Sequence, residues 1–207
     1  MKEASFGCGC FWEPAESFLE IDGVEDTVAG YTGNPNGSSS SNKAPSYESV
    51  CYGKNWVEGV RVKYDDEKVS YQDLLEAMFE IQKPQLGSRQ YASIIFPHDE
   101  EQSRIAEAWK NENKGKQRSD GWKAEWTAVE PLSTFYKAEG YHQRYWQKQR
   151  PRFAVIAVLL AVSTGILNSI IPETLQHTVE TVANGSVVAI GLFITLERFV
   201  DSKVVEI

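Results

Sequence analysis

Between Arg152 and Pro172 the chain reads FAVIAVLLAVSTGILNSII (153–171), nineteen residues without a charge. As a helix this run would reach about 28 Å, close to the hydrocarbon thickness of a bilayer. The alternative is a buried core helix, but the domain before it already accounts for its own core, and so long an uncharged run is unusual in a soluble protein. It is therefore read as a transmembrane span. The polar segment ETLQHTVET follows, and then a second, shorter apolar run, VANGSVVAIGLFITL (182–196), bounded by Glu197 and Arg198. That run is read as a possible second span, with an interfacial or partner-packed helix as the alternative. The chain thus divides into a globular region, residues 1–150, and a membrane-anchoring tail, residues 151–207. Lys148, Arg150 and Arg152 precede the first run, whereas Glu173 and Glu180 follow it. This asymmetry puts the globular region on the cytoplasmic-type face, which in an organelle is stroma or matrix. If the second run also spans, Arg198 and Lys203 return the tail to that face.

The globular region alternates strand and helix signals. VEDTVAGYT (24–32) and WVEGVRVKY (56–64) have the period-2 pattern of half-buried strands, and YASIIF (91–96) reads as a short buried one. A helix is expected from Phe11 to Glu20, with Pro14 tolerated in its first turn. Ser70 is placed to cap YQDLLEAMFEI, and HDEEQSRIAEAWKNENK (98–114) carries acidic residues in its first turn, where the helix dipole favours them. EWTAVEP (125–131) is expected as a strand, KAEGYHQRYWQKQ as a closing helix and residues 34–46 as a loop. Interspersed strands and helices with a hairpin-like return imply an α+β two-layer sandwich.

Partners are bounded by charge and cysteine count. A net charge of −8, without a basic patch interleaved with aromatics, argues against nucleic acid. Three cysteines, Cys8, Cys10 and Cys51, are too few for a disulfide framework and suit a reducing compartment. MKEASFGCGC lacks the apolar core of a secretory leader. With the apolar tail, these features point to an organelle membrane, a plastid thylakoid first and a mitochondrial membrane second. A partner complex there, photosynthetic or electron-transferring, would be reached through the tail.

The chemistry concentrates in FGCGCFW (6–12). Cys10 sits where a helix is expected to start, and unpaired N–H groups there would hold its thiol below its ordinary pKa. The thiolate is the reactive form of sulfur. Phe11 and Trp12 set two rings beside it, suited to an apolar group such as a methyl or thioether. Position alone also allows a small buried cysteine packing at a strand–helix junction.

Six blocks, in order, resemble the methionine sulfoxide reductase A family. GCFW (9–12) is similar to its active-site signature, and GVEDTVAGYTG (23–33) to its GV…GYTGG segment. PSYESVCYG (45–53) resembles P-T-Y-x-x-V-C-x-G. WVEGVRVKYDDEKVSYQDLL (56–75) resembles H-A-E-x-V-x-V-x-Y-D-P-x-x-I-S-Y-x-x-L-L. RQYASIIFPHDEEQ (89–102) resembles the Q-Y-R-S-x-I-F segment and FYKAEGYHQRYWQK (135–148) the F-Y-x-A-E-x-Y-H-Q-x-Y segment. The resemblance implies a ferredoxin-like two-layer sandwich that reduces the S epimer of methionine sulfoxide, free or in proteins. It implies Cys10 as nucleophile, Phe11 and Trp12 as the cage for the substrate methyl, and Glu58 as the acid that protonates the sulfoxide oxygen. Tyr47 and Tyr91 would hydrogen-bond that oxygen. No metal and no bound cofactor are implied, only an external thiol reductant: thioredoxin, glutaredoxin or glutathione.

The chemistry is coherent, because sulfoxide oxygen leaves poorly until protonated, and a carboxyl in a partly dry aromatic pocket has the raised pKa for that task. The product is a sulfenic acid on Cys10 that a second thiol must reduce. The family's C-terminal resolving cysteines are absent, so external thiol, Cys51 and Cys8 are the candidates, in that order. Two further departures stand out. The family's Asp before Q-Y-R-S has no counterpart in KPQLGSRQYAS (83–93), where Arg89 is the candidate substitute, and FWG is here FWEP, with Glu13 adding a negative charge near Cys10. The alternative to an active, membrane-tethered reductase is an accessory or structural subunit of a membrane complex with weak or lost activity. In both readings His142 is a packing or supporting residue.

Overall fold

The computed structural model describes residues 1–34, 44–53 and 55–207. It divides into two compact units, residues 1–143 with 203–207, and residues 144–202. The loop expected over 34–46 lies mostly outside the described residues.

The first unit is a mixed α+β fold. Its central strands are β1 (Lys2–Cys8), β2 (Val24–Thr32), β3 (Val57–Tyr64) and β4 (Ser93–Phe96). They lie in the order β4-β1-β3-β2, and β1 is antiparallel to both neighbours, as β2 is to β3. Outside them are β5 (Ala128–Val129), parallel to β4, and on the other side β6 (Tyr136–Lys137) and β7 (Val205–Glu206). Helices α1 (Trp12–Leu19), α2 (Tyr47–Tyr52), α3 (Tyr71–Ile81) and α4 (Glu100–Glu112) complete the unit.

Alternation along β1 generates the layers. Ala4, Phe6 and Cys8 enter the main core with Phe18 of α1 and Leu74, Leu75 and Met78 of α3. Phe6 stacks on Phe18 at 5.4 Å and on Tyr71 at 6.2 Å between ring centres. Gly7 faces the opposite side, where Val57, Ile94 and Phe96 form a smaller cluster with Leu132. Ser70 and Asp73 form the capping box that starts α3, each side chain accepting the other residue's backbone N–H.

The strands expected at 24–32 and 56–64 fall within a residue of those observed. The strand expected over 125–131 shrinks to β5, because Ala124–Trp126 closes a 3-10 turn first. The closing helix expected from KAEGYHQRYWQKQ divides into β6, a 3-10 turn at Gly140–His142, and a helix that starts only at Tyr145, in the second unit.

The second unit is a pair of helices, α5 (Tyr145–Ser163) and α6 (Glu173–Val200). Here the span expected over 153–171 is corrected. The Thr164 hydroxyl turns back to the Leu160 carbonyl at 2.8 Å, and Gly165 adopts a left-handed φ of +75°. A 3-10 turn (Asn168–Ile170) and Pro172 follow, so the helix stops after Ser163. The helical part beyond Arg152 then covers about 17 Å, too little to cross a bilayer. The second apolar run instead joins the preceding polar segment in α6, 28 residues long, with a mean hydropathy of 1.7 over its apolar window. Among the described residues, α6 alone is long and apolar enough to cross a membrane.

Candidate active site

The two cysteines of FGCGCFW face different surroundings. Cys8 ends β1 with its side chain fully buried, and burial pushes its thiol far above the ordinary range. Gly9 then takes φ +74° and pairs with Lys83, whose N–H donates to the Cys8 carbonyl at 2.7 Å. This kink leaves Cys10 half-buried immediately before α1. A thiol lowered by the helix start is not found. Burial raises Cys10, the backbone N–H of Trp12 opposes that, and the carboxylates of Glu58 and Glu13 add to the rise. Glu13 itself turns outward to Lys83 at 3.5 Å.

Glu58 projects from β3 into the same pocket, buried, accepting from the Phe11 N–H at 3.3 Å and from the Gln90 side-chain amide at 2.6 Å. Burial pushes its carboxyl up to about 7, although both hydrogen bonds pull it down. A protonated carboxyl near neutral pH is what general-acid chemistry beside a thiol requires.

Tyr47 and Cys51 lie four residues apart on α2 and therefore share a face. The Tyr47 hydroxyl hydrogen-bonds Cys51, and burial together with that contact raises it above the ordinary tyrosine range. Tyr91 is pushed up to about 12, by burial first and then by its proximity to Glu58, Cys10 and Cys51. Gln90 also donates to the Cys51 sulfur at 3.6 Å, so one amide touches both Glu58 and Cys51. Cys10, Glu58, Tyr47, Tyr91 and Cys51 thus converge on one pocket.

The rings converge as well. Phe11 lies 5.9 Å from Tyr31 and 5.2 Å from the His142 ring. The Trp12 indole N–H donates to His142 Nδ1 at 2.9 Å, and Tyr47 packs on the same imidazole at 5.4 Å. His142 Nε2 is 3.8 Å from Glu139, which accepts from Tyr31 at 2.8 Å. His142 therefore touches the rings of Phe11, Trp12 and Tyr47 together. These contacts are those of the packing or supporting residue that the sequence suggests, whereas Gln90 is not anticipated there. The Gln-Tyr pair in the 89–102 block was the available signal for Gln90.

Arg89 is not the substitute for the missing Asp. Its guanidinium forms a fork with Glu130 at 2.7 and 2.8 Å and also donates to the Gly33 carbonyl. Gln90 holds Glu58 instead.

A half-buried thiol, a carboxyl protonated near neutrality and a cage of rings at the end of a central strand define a cysteine-centred redox site. The comparisons agree with that class. The family model described as peptide methionine sulfoxide reductase matches residues 2–167. Among similar proteins, the peptide methionine sulfoxide reductase MsrA of Rhodospirillum centenum is 37% identical over 157 residues, 72% of this chain and 69% of that protein. The protein of the same name from Methanothermobacter thermautotrophicus is 37% identical over 170 residues, 77% of this chain and 95% of its own length. Among solved structures, methionine sulfoxide reductase A of Corynebacterium diphtheriae superposes with a TM-score of 0.58 at 25% identity, covering 71% of this chain and 74% of that one. Reduced Mxr1 of Saccharomyces cerevisiae gives 0.54 at 26% identity, over 71% and 84%. The chain belongs to the peptide methionine sulfoxide reductase family.

Proposed function

We propose that this chain reduces methionine-S-sulfoxide to methionine with Cys10 as nucleophile, and that its tail tethers it to a membrane. One observation carries the reaction: Glu58 is buried next to Cys10, held by the Phe11 backbone N–H at 3.3 Å and the Gln90 amide at 2.6 Å, where burial pushes its carboxyl up to about 7. The substrate methyl sits against Phe11 and Trp12, and Tyr47 and Tyr91 donate to the sulfoxide oxygen. Glu58 gives its proton to that oxygen as Cys10 sulfur attacks the substrate sulfur. The S–O bond breaks and the oxygen leaves as water, giving a sulfonium in which Cys10 sulfur is bonded to the substrate sulfur. A water then adds to the Cys10 sulfur, the S–S bond breaks, methionine and a proton leave, and Cys10 is left as the sulfenic acid. The central order β4-β1-β3-β2, with β1 antiparallel to both neighbours, supports the ferredoxin-like reading of the fold.

Recycling is assigned to Cys51. The Cys10 sulfenic acid condenses with the Cys51 thiol, releasing water and leaving a disulfide, which an external dithiol such as thioredoxin then reduces. The amide shared by Glu58 and Cys51 supports this choice. Cys8 would have to leave the core first. The contact of Gln90 with Glu58 likewise favours an active enzyme over an accessory subunit, because it supplies the acid with a partner despite the missing Asp. The Lys and Arg residues before the first apolar run support a stromal or matrix-side placement, at a thylakoid or mitochondrial membrane.

The test uses the full chain in detergent with one equivalent of methionine-S-sulfoxide and no reductant. The parent should yield one methionine and a Cys10–Cys51 disulfide by peptide mapping. Cys51→Ser should yield the same methionine with a Cys10 adduct of dimedone, a sulfenic-acid trap, and Cys10→Ser should yield neither. No methionine from the parent would end the enzyme reading, and a dimedone adduct without disulfide in the parent would end the assignment of Cys51.

A further inference from the structure

We infer that residues 144–202 insert into a lipid bilayer as a helical hairpin, with both of its feet on the side of the catalytic unit and only its tip at the far surface. This rests on the membrane reading of the tail and adds its topology.

The chain leaves the first unit after Gln143 and rejoins it at Lys203. β7 is hydrogen-bonded into the sheet, with Glu206 opposite Tyr136 and Val205 opposite Lys137, and the Ile207 N–H donates to the Phe135 carbonyl at 3.1 Å. A sheet buried in water-soluble packing cannot straddle a bilayer, so a segment that starts and ends in it crosses an even number of times. A single crossing by α6 would require β7 to leave the sheet.

The dimensions fit two crossings. Arg152 and Glu197 pair at 2.6 Å, joined by Lys148 at 3.6 Å, and mark the feet. Further along, Ser163 bonds Asn184, Asn168 donates to Glu180 at 3.2 Å, and Gln176 donates to the carbonyls of Asn168 and Ile171 at 3.1 Å each. From Glu197 to Gln176 an α-helix rises roughly 32 Å, about the hydrocarbon thickness of a bilayer. The turn after Ser163, which is too early for α5 alone to cross, supplies the missing length on the other limb.

Polarity is distributed as lipid demands. Ser163, Asn184, Asn168, Glu180, Gln176 and Thr181 in the distal half bond one another or the backbone, which lowers the cost of placing them in hydrocarbon. Large apolar side chains face outward along both helices: Phe153, Val158, Ile166, Ile170, Leu192 and Phe193 are all at least half exposed. The charges are one-sided too. Lys148, Arg150, Arg152, Arg198 and Lys203 cluster at the feet, and residues 153–197 contain no Lys or Arg. This is the distribution that keeps the feet on the cytoplasmic-type face.

The experiment reconstitutes the full chain, with Cys10→Ser and Cys51→Ser to remove the accessible thiols, into phosphatidylcholine–phosphatidylglycerol vesicles. One cysteine is then introduced, either Asp201→Cys at a foot or Ser169→Cys at the tip. Carbonate washing comes first, and release of the protein would end the membrane reading itself. In the retained protein whose catalytic unit is protease-accessible from outside, a membrane-impermeant maleimide should label Asp201→Cys fully. Ser169→Cys labelling should rise at least five-fold only when detergent opens the vesicles. Equal labelling of both sites without detergent would overturn the hairpin in favour of a surface-lying tail. Protection of Asp201→Cys would overturn it in favour of a single crossing.

Discussion

Replacing Glu58 by Gln is expected to cost activity and, above neutral pH, to strengthen the fold. As the acid for the sulfoxide oxygen, Glu58 contributes a factor of about 10²–10⁴ to kcat/KM, and the amide has no proton to give. The parent's kcat/KM should fall as pH rises through about 7, where the carboxyl ionises, and the variant should lack that limb. Stability moves the other way. Burial raises the carboxyl from 4.5 to about 7, so its contribution is fully present below about pH 4.5 and is lost as pH rises through 7. The difference is of the order of 3 kcal/mol by pH 8, at about 1.4 kcal/mol per pH unit. The variant does not titrate there. Part of its gain is offset because Phe11 and Gln90 both donate to the carboxylate, and an amide must turn over to satisfy them. The sharper measurement is therefore the stability difference between variant and parent followed from pH 5 to pH 8 by urea unfolding. A difference that stays constant across that range would show that Glu58 is not the buried acid described.

Gly9→Ala is expected to be the most damaging single methyl in the chain. A Cβ at Gly9 would lie 1.8 Å from the Lys83 carbonyl oxygen and 2.2 Å from its carbon, both backbone atoms with no rotamer to adopt. Its φ of +74° alone costs an alanine about 1 kcal/mol or more. Relieving the overlap would break the bridge to Lys83 and the bond from the Lys83 N–H to the Cys8 carbonyl. The expected loss is at least about 3 kcal/mol, read as a lower urea midpoint, with Cys10 displaced and turnover lost. Gly87→Ala is the matched control, since its φ is +79° yet a Cβ there meets nothing within 4 Å. If both variants lost the same stability, backbone conformation alone would be responsible and the contact with Lys83 would carry no weight.

What the sequence discloses follows from how local each signal is. β2, β3 and the capping box of α3 are written in alternation and in Ser70–Asp73, so they are legible. β1 escapes because KEASFGC offers only Ala4, Phe6 and Cys8 as its core face, with Ser and Gly between. The pocket residues were legible through six family blocks, whereas their mutual arrangement was not. Glu58, Gln90 and the Phe11–Trp12–His142 group come together only because β3, the turn before β4, the end of β1 and the turn after β6 converge, and no local pattern encodes that. The thiol was misjudged for the same reason: the helix start lowers its pKa, but burial and Glu58, brought by a distant strand, outweigh it. In the tail, composition gave hydrophobicity without connectivity. Gly165 and Pro172 punctuate the first run and so moved the long helix to the second.

The sheet ends in a two-residue strand on each side, β5 beyond β4 and β7 beyond β6. A long exposed edge is a template for another chain's backbone, and very short edge strands are a recognised protection against that. By closing over β6, the last residues of the chain leave a foreign strand almost no free ladder to join. The molecule would therefore resist edge-to-edge aggregation when crowded on a surface, and would lose that resistance if β7 were pulled away from β6.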